Sequence, residues 1–349
     1  MKTMTRVPTG YTIEKVDMAT AEQPIVDGLV ELWHALDAEA VPEDPPLPRE
    51  MIEARFRTTS KMFVRQSWLA FKDGRVVGRG QNFENKSGSN EDKRDIDLAV
   101  HPAHRGKGIG RALFAAAVLP IPDATTKLVQ SWTHSRVPSG KAFAEKTGAK
   151  AGLNMRSSQL DLQKVDMKLI DEWAKIDPPD YTVVFLDGDV PDHLMKATTE
   201  AFNAINKMPR EDLDMDDWVF SEATIRDWER MRKARGQTQW LYLVTDPSGT
   251  GVAFTDIVFD KRYEHVIHQG GTAVDPAHQG HGLGKLVKAL MVKKLKSEMP
   301  RARFIRTENA GSNAPMLSIN TRMGFALAWE NAIWQLPLAD AKKYAERAS

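Results

Sequence analysis

The strongest constraint on the fold is a stretch that occurs twice. Leu98 to Arg111 reads Leu-Ala-Val-His-Pro-Ala-His-Arg-Gly-Lys-Gly-Ile-Gly-Arg, and Thr272 to Lys285 reads Thr-Ala-Val-Asp-Pro-Ala-His-Gln-Gly-His-Gly-Leu-Gly-Lys. Arg105 matches Gln279, so the copies lie about half of the 349-residue chain apart. Each reads as a short strand, a glycine-rich turn and a helix start. The second helix repeats apolar residues at Leu283, Leu286, Val287, Leu290 and Met291, the spacing of one buried face. The first does so at Ile109, Ala112, Leu113, Ala116 and Ala117. Glycines at alternate positions let the backbone approach a bound group and turn its N–H groups inward. The helix behind adds its own free N–H groups and the positive end of its dipole. Such a turn suits an anion, most naturally a phosphate. One copy is a weak signal, for which a plain strand-to-helix turn is the alternative. Two copies in matching context are a strong one.

The rest of the chain repeats around these loops. An alternating strand opens each half, at Tyr11-Thr12-Ile13 and at Tyr181-Thr182-Val183. Helical regions follow over 25–38 and 193–206, then stretches rich in proline and acid at 41–46 and 208–217. Hairpins come next. One turns at Lys72-Asp73-Gly74, the other at Asp246-Pro247-Ser248-Gly249. Each half closes with a strand, a helix and a final strand, over 128–132, 139–147 and 157–162, and over 304–307, 315–323 and 332–336. Gly148 and Gly324 stop the two helices. The pattern predicts an α+β fold, with helices on a mostly antiparallel sheet in each half. The predicted domains are 1–163 and 180–349. A connecting helix over 164–175 and the polar, proline-bearing Ile176 to Asp180 form a linker over 164–179.

Composition excludes several functions. A net charge of +1 lacks the basic surplus that nucleic acid requires. No apolar run approaches the roughly 20 residues that span a bilayer, and Met1 to Pro8 lacks the apolar core of a signal peptide. A cytoplasmic protein without membrane or nucleic-acid partners is expected. The chain has no cysteine, which excludes disulfides, thiolate metal sites and a cysteine–acyl intermediate. The pairs His101/His104, His265/His268 and His278/His281 have no third ligand at a recognisable spacing, so no metal site is expected.

The loops do not fit a dinucleotide fold, which needs G-x-G-x-x-G, or a P-loop, since Leu286 follows Lys285. They resemble the coenzyme A loop of the GNAT acyltransferases, Q/R-x-x-G-x-G/A. Gln279-Gly280-His281-Gly282-Leu283-Gly284 and Arg105-Gly106-Lys107-Gly108-Ile109-Gly110 match it at every position. The order of elements also resembles a GNAT domain twice over, in the two-domain architecture of the mycothiol-synthase type.

The resemblance implies acetyl-CoA as cosubstrate. Its pyrophosphate would lie on Gln279, Gly280, His281, Gly282, Leu283, Gly284 and Lys285, and in the first half on Arg105, Gly106, Lys107, Gly108, Ile109, Gly110 and Arg111. A bulge in the preceding strand would turn backbone N–H groups near Ala273 and Val274, or near Ala99 and Val100, toward the thioester. Asn313 matches the family's CoA-contacting asparagine, with Asn309 nearby. At the family's tyrosine position stands Asn320, which is no general acid. Tyr242, Tyr263 or water could replace it, or the thiolate could leave unprotonated. In the first half these positions are Val137 and Ala144. The second half is therefore expected to catalyse, and the first to bind CoA without turnover or to act as a scaffold.

Removal of the amine proton needs a base. Glu308 follows a central strand, and His268 lies on the strand that leads to Ala273. Glu264 and His265 are weaker candidates. The acidic run Glu211, Asp212, Asp214, Asp216 and Asp217 would suit a cationic amine, or forms a solvated helix start. The expected activity is direct transfer of an acyl group to a small-molecule amine. The alternatives are a CoA-binding regulatory or scaffold protein without turnover, and an acyltransferase for longer acyl chains or protein lysines.

Overall fold

The computed structural model describes residues 7–347. In chain order the elements begin with β1 (Thr12–Val16), α1 (Gln23–Ala40), α2 (Arg49–Arg57), β2 (Phe63–Lys72), β3 (Arg75–Asn85), β4 (Lys93–Val100), α3 (Ile109–Val118), β5 (Leu128–His134), α4 (Pro138–Thr147) and β6 (Lys150–Asp161). They continue with α5 (Met167–Trp173), β7 (Thr182–Asp187), α6 (Asp192–Asn203), α7 (Glu222–Arg235), β8 (Thr238–Thr245), β9 (Gly251–Asp260), β10 (Tyr263–Val274), α8 (Leu283–Glu298), β11 (Phe304–Ala310), α9 (Ala314–Met323), β12 (Ala326–Pro337) and α10 (Leu338–Glu346). The fold is α+β with mostly antiparallel pairing, as the patterning predicts. Each unit contains a parallel pair, β4 with β5 in the first and β10 with β11 in the second.

Two compact units divide the chain. The first comprises the residues up to Leu153, then Asp212–Asp216, then the residues from Asn331. The second comprises Asn154–Glu211 and Asp217–Glu330. The closing strands differ from their places in sequence. Met155 to Asp161 of β6 pair with β11 inside the second unit. Asn331 to Pro337 of β12 pair with β5 inside the first. Alternation shows that a segment is a strand but not which edge it joins, because the ladder bonds belong to the backbone.

In the second unit, α5, α8 and α9 bury one face of the sheet around Ile257, Ile267, Met291, Leu295 and Ile305. Helices α6 and α7 bury the other around Phe202, Ile225, Leu241 and Phe254. Gly251 admits this packing. A Cβ there would stand 1.7 Å from the carbonyl oxygen of Ala197 on α6. In the first unit, α3 and α10 cover one face and α1 and α2 the other. The expected caps are present, with Gly148 and Gly324 left-handed at the ends of α4 and α9.

Three helices exceed the expectations. Helices α2 and α7 are mostly charged, with few apolar residues to mark a stripe. Helix α10 uses small Ala341 and Ala345 against α3. The connecting helix is shorter than predicted, beginning at Met167, where Asp166 caps the amides of Lys168 and Leu169. The acidic run forms no helix. Glu211 accepts hydrogen bonds from the Asn154 amide and the Ser312 hydroxyl in the second unit. In the first, Asp214 and Asp216 lie 3.6 and 3.8 Å from the Lys93 ammonium. Among the described residues, no helix is long and apolar enough to cross a membrane.

Candidate active site

The second loop owes its shape to three local devices. Asp275 accepts the Ala277 amide and starts a single 3-10 turn over Pro276–His278. Gly280 and Gly282 then take φ of +87° and +79°, a region that L side chains avoid. Gly282 is the N-cap of α8. No backbone hydrogen bond leaves the amides between Gln279, which donates to Pro276, and Leu286, which donates to Gly282. Those free N–H groups lie at the positive end of a 16-residue helix, the arrangement that holds a phosphate. The Tyr181 hydroxyl bonds His278 Nδ1 at 2.9 Å and steadies the turn. From the segment ahead of β7, Ile176 lies against Gly282, where a Cβ would meet it at 3.2 Å.

The first loop is built in the same way. Gly106 and Gly108 take φ of +75° and +88°. Tyr11 bonds His104 Nδ1 at 3.2 Å, and the amides between Arg105 and Ala112 make no backbone bond. Its arginine is not available to a ligand in the same way as the loop amides. Arg105 donates to the Val100 carbonyl and forms a two-point pair with Glu39, at 2.7 and 2.6 Å. Val100 ends β4 beside the loop.

Beyond the loops, the central strands part. Strands β10 and β11 pair from Val266 with Phe304 to His268 with Arg306. Strands β4 and β5 pair from Lys93 with Leu128 to Asp95 with Gln130. Each opening lies on the way to its glycine loop. The strand before the second loop is bulged. Gln269 pairs with Ile257 and Thr272 with Thr255, so β10 spends one residue more than β9. The extra residue falls at Gly270-Gly271, ahead of Ala273 and Val274, which pair regularly with Phe254 and Ala253. Strand β4 runs against β3 without a shift through Ala99 and Val100. The bulge distinguishes the two units at the position where backbone N–H groups would meet a thioester.

Side chains on alternate strand positions share a face. Ile267 and Ile305 face the α8 core, so His268, Arg306 and Glu308 face the other way, at the mouth of the opening. His268 and Glu308 are exposed and Arg306 is buried. Glu308 accepts from Ser157 at 2.7 Å, and Arg306 donates to Gln159 at 2.6 Å. The two candidate bases therefore share an accessible face. Glu264 instead pairs with Arg301, and the His265 ring packs on Phe304. Asn313 accepts the Met316 amide and caps α9. Asn320 is buried and donates to Asn309 at 2.8 Å. Tyr242 packs beside Phe185, 5.0 Å between centroids, and burial raises its pKa.

Two buried ionisable groups at the bulge carry no motif. Asp256 on β9 accepts from Gln239 and from the Gly271 amide, both at 2.6 Å. Burial raises its pKa, and the two hydrogen bonds act against that shift. Lys288 lies on the inner face of α8, donates to Gln269, and stands 5.0 Å from the Phe325 ring. Burial lowers its pKa to about 7. Gln269 continues to Thr255 and Thr272 at 2.8 and 3.0 Å. The only hint in the sequence is that Lys288 lies four residues after Gly284 and four before Val292, on the stripe that proves buried. Leu290, assigned to that stripe, is half-buried. Among the described residues, no group of three or more His, Asp and Glu side chains could hold a metal ion.

Residues 64–148 match the family model of the acetyltransferase (GNAT) domain. A mycothiol acetyltransferase from Amycolatopsis mediterranei is 26% identical over 265 residues, covering 74% of this chain and 79% of its own length. Another, from Nocardiopsis dassonvillei, is 24% identical over 355 residues, covering 95% of this chain and 97% of its own. A solved tandem GNAT protein from the clavulanic acid biosynthesis pathway aligns with a TM-score of 0.76 and 23% identity. That alignment covers 94% of this chain and 99% of the other.

Proposed function

We propose that this chain, a GNAT acetyltransferase built of two tandem units of that fold, transfers the acetyl group of acetyl-CoA directly to the amine of a small molecule, and that the second unit catalyses. The observation that carries the assignment is the combination found at β10. A bulge, a parting from β11 and a free-amide glycine loop lie in succession, with His268 and Glu308 together on the open face.

In this reading the amides of residues 280–285 hold the pyrophosphate, with Gln279, Lys285, Asn309 and Asn313 on the donor side. The amine nitrogen attacks the thioester carbon. Negative charge gathers on the carbonyl oxygen, beside the backbone from the bulge to Val274. The C–S bond breaks and CoA leaves as the thiolate. The proton released by the amine passes to Glu308 or His268. Asn320, turned inward to Asn309, supplies no proton to sulfur. Solvent then serves, because a thiol with an ordinary pKa of about 8.5 is a fair leaving group. The first unit keeps its loop, Val100 to Arg111, for CoA without catalysis. The mycothiol acetyltransferase relatives, one of them matched over 97% of its length, support a small-molecule amine as acceptor.

The test is release of CoA thiol from acetyl-CoA across a panel of amines, read with a thiol reagent. The chain has no cysteine of its own to react. Release that depends on one amine class is expected, and Gly282→Trp is expected to abolish it. Unchanged CoA affinity and turnover in that variant would overturn the assignment of the second loop.

A further inference from the structure

The first unit carries an arginine where a sheet facing a core ordinarily places an apolar side chain. Arg79 on β3 pairs with Ala99. The matching position in the second unit is Phe254, which pairs with Ala273 and packs 4.5 Å from Phe202. Arg79 is only 8% exposed. One of its terminal nitrogens donates to Asp97 at 2.6 Å, while its buried Nε has no hydrogen-bond partner. An unmet buried donor on a cation is costly, and such groups persist where something else repays the cost.

Two more arginines converge on the same place. Arg65 on β2 donates to the Phe56 carbonyl. Arg55 on α2 lies over the Trp33 ring at 5.0 Å, and Arg79 approaches the Phe56 ring at 5.5 Å and the Trp33 ring at 6.0 Å. Among the described residues Arg55 makes no hydrogen bond and no ion pair. It is solvent-accessible, yet the surrounding protein desolvates its guanidinium. The facing carboxylates are Asp97, held by Arg79, Asp37, held by the Trp33 indole, and exposed Asp17. For Arg65, burial followed by repulsion from Arg79 and Arg55 outweighs attraction to Asp17 and Asp97 and lowers its pKa to about 10. Among the described residues, only Asp97 of these three carboxylates lies in ion-pair contact with an arginine of the cluster, through Arg79.

We propose that the first unit binds a small-molecule oxyanion, a carboxylate or a phosphate monoester, on the guanidinium groups of Arg55, Arg65 and Arg79. The planar N–H fork of arginine matches both groups. The unmet Nε of Arg79 and the unpaired guanidinium of Arg55 are the donors in excess. This face of the sheet is opposite to the α3 core, where Ile96 and Phe114 pack, so the site is separate from the donor loop. The inference does not depend on which unit catalyses.

Calorimetric titration of the full chain tests it, with inorganic phosphate and with succinate as probes. Saturable binding of at least one is expected, weakened roughly tenfold or more by Arg55→Gln. That variant removes no internal hydrogen bond, only the stacking on Trp33, so its melting temperature should stay within a few degrees of the parent. Binding that Arg55→Gln weakens, of phosphate alone, would identify a phosphate monoester, of succinate alone a carboxylate, and of both their shared oxyanion chemistry; phosphate held on the glycine loops is insensitive to that variant. No binding of either at millimolar concentration would overturn the proposal, as would binding unchanged by Arg55→Gln. Arg79→Gln is a second variant if it folds, and should weaken the same probe.

Discussion

The carboxylate of Asp256 accepts the amide hydrogen of Gly271 at 2.6 Å, from beneath the bulge of β10. The bulge thus has a fixed internal support. At Gly270 a Cβ would stand 2.7 Å from both carboxylate oxygens. Gly270→Ala should push the support away, costing roughly 1–3 kcal/mol of stability and lowering kcat more than it raises KM. Thermal unfolding and steady-state kinetics check this. A fully active Gly270→Ala enzyme would show that the bulge is not needed for turnover.

Lys288 makes stability depend on pH in one direction. Its folded pKa, about 7, lies below the ordinary value of 10.5. Between those values the unfolded chain binds the extra proton, so stability rises with pH across that window. Below pH 7 both states are protonated and the cost of burying the charge is complete. Lys288→Met should therefore stabilise the protein by roughly 1–4 kcal/mol near pH 6, with the gain shrinking toward pH 10. Denaturant melts of both proteins at the two pH values decide it, and a gain that grows with pH would refute it.

His268 and Glu308 share one open face, so their roles can be separated by kinetics. If either takes the amine proton, its replacement by glutamine should lower kcat by about 10²–10⁴. If they serve one proton route, the double variant should lose little more than the worse single variant. Full additivity would assign them independent roles. No loss in either variant would move the base elsewhere.

Gly251→Ala should be among the most damaging small substitutions. The added methyl would fall 1.7 Å from the Ala197 carbonyl oxygen, which belongs to helix backbone and cannot swing aside. A loss above about 3 kcal/mol is expected, with α6 displaced from β9. A melting temperature within a degree or two of the parent would contradict this packing.

The legible parts of the site are those written in local chemistry. Positive φ at Gly106, Gly108, Gly280 and Gly282 needs glycine, so the loops show in the sequence. The cap that Asp275 provides to its turn is not among the features read from the sequence and is seen only in the structure. The resemblance puts the bulge near Ala273, two to three residues beyond its place at Gly270-Gly271, because its position depends on the register against β9. Arg65, Arg79 and Asp97 alternate along ordinary strands, where charge usually marks a solvated face.

The sequence by itself determined the doubled loop, the order of the strands around it, and the glycine stops of α4 and α9, because these obey rules between near neighbours. Only the tertiary structure decided that Met155–Asp161 would pair within the second unit and Asn331–Pro337 within the first. It also decided that Lys288, Asp256 and Arg79 would lie buried. Backbone ladders carry no residue code for their partner, and the cost of burying a charge depends on side chains far away along the chain.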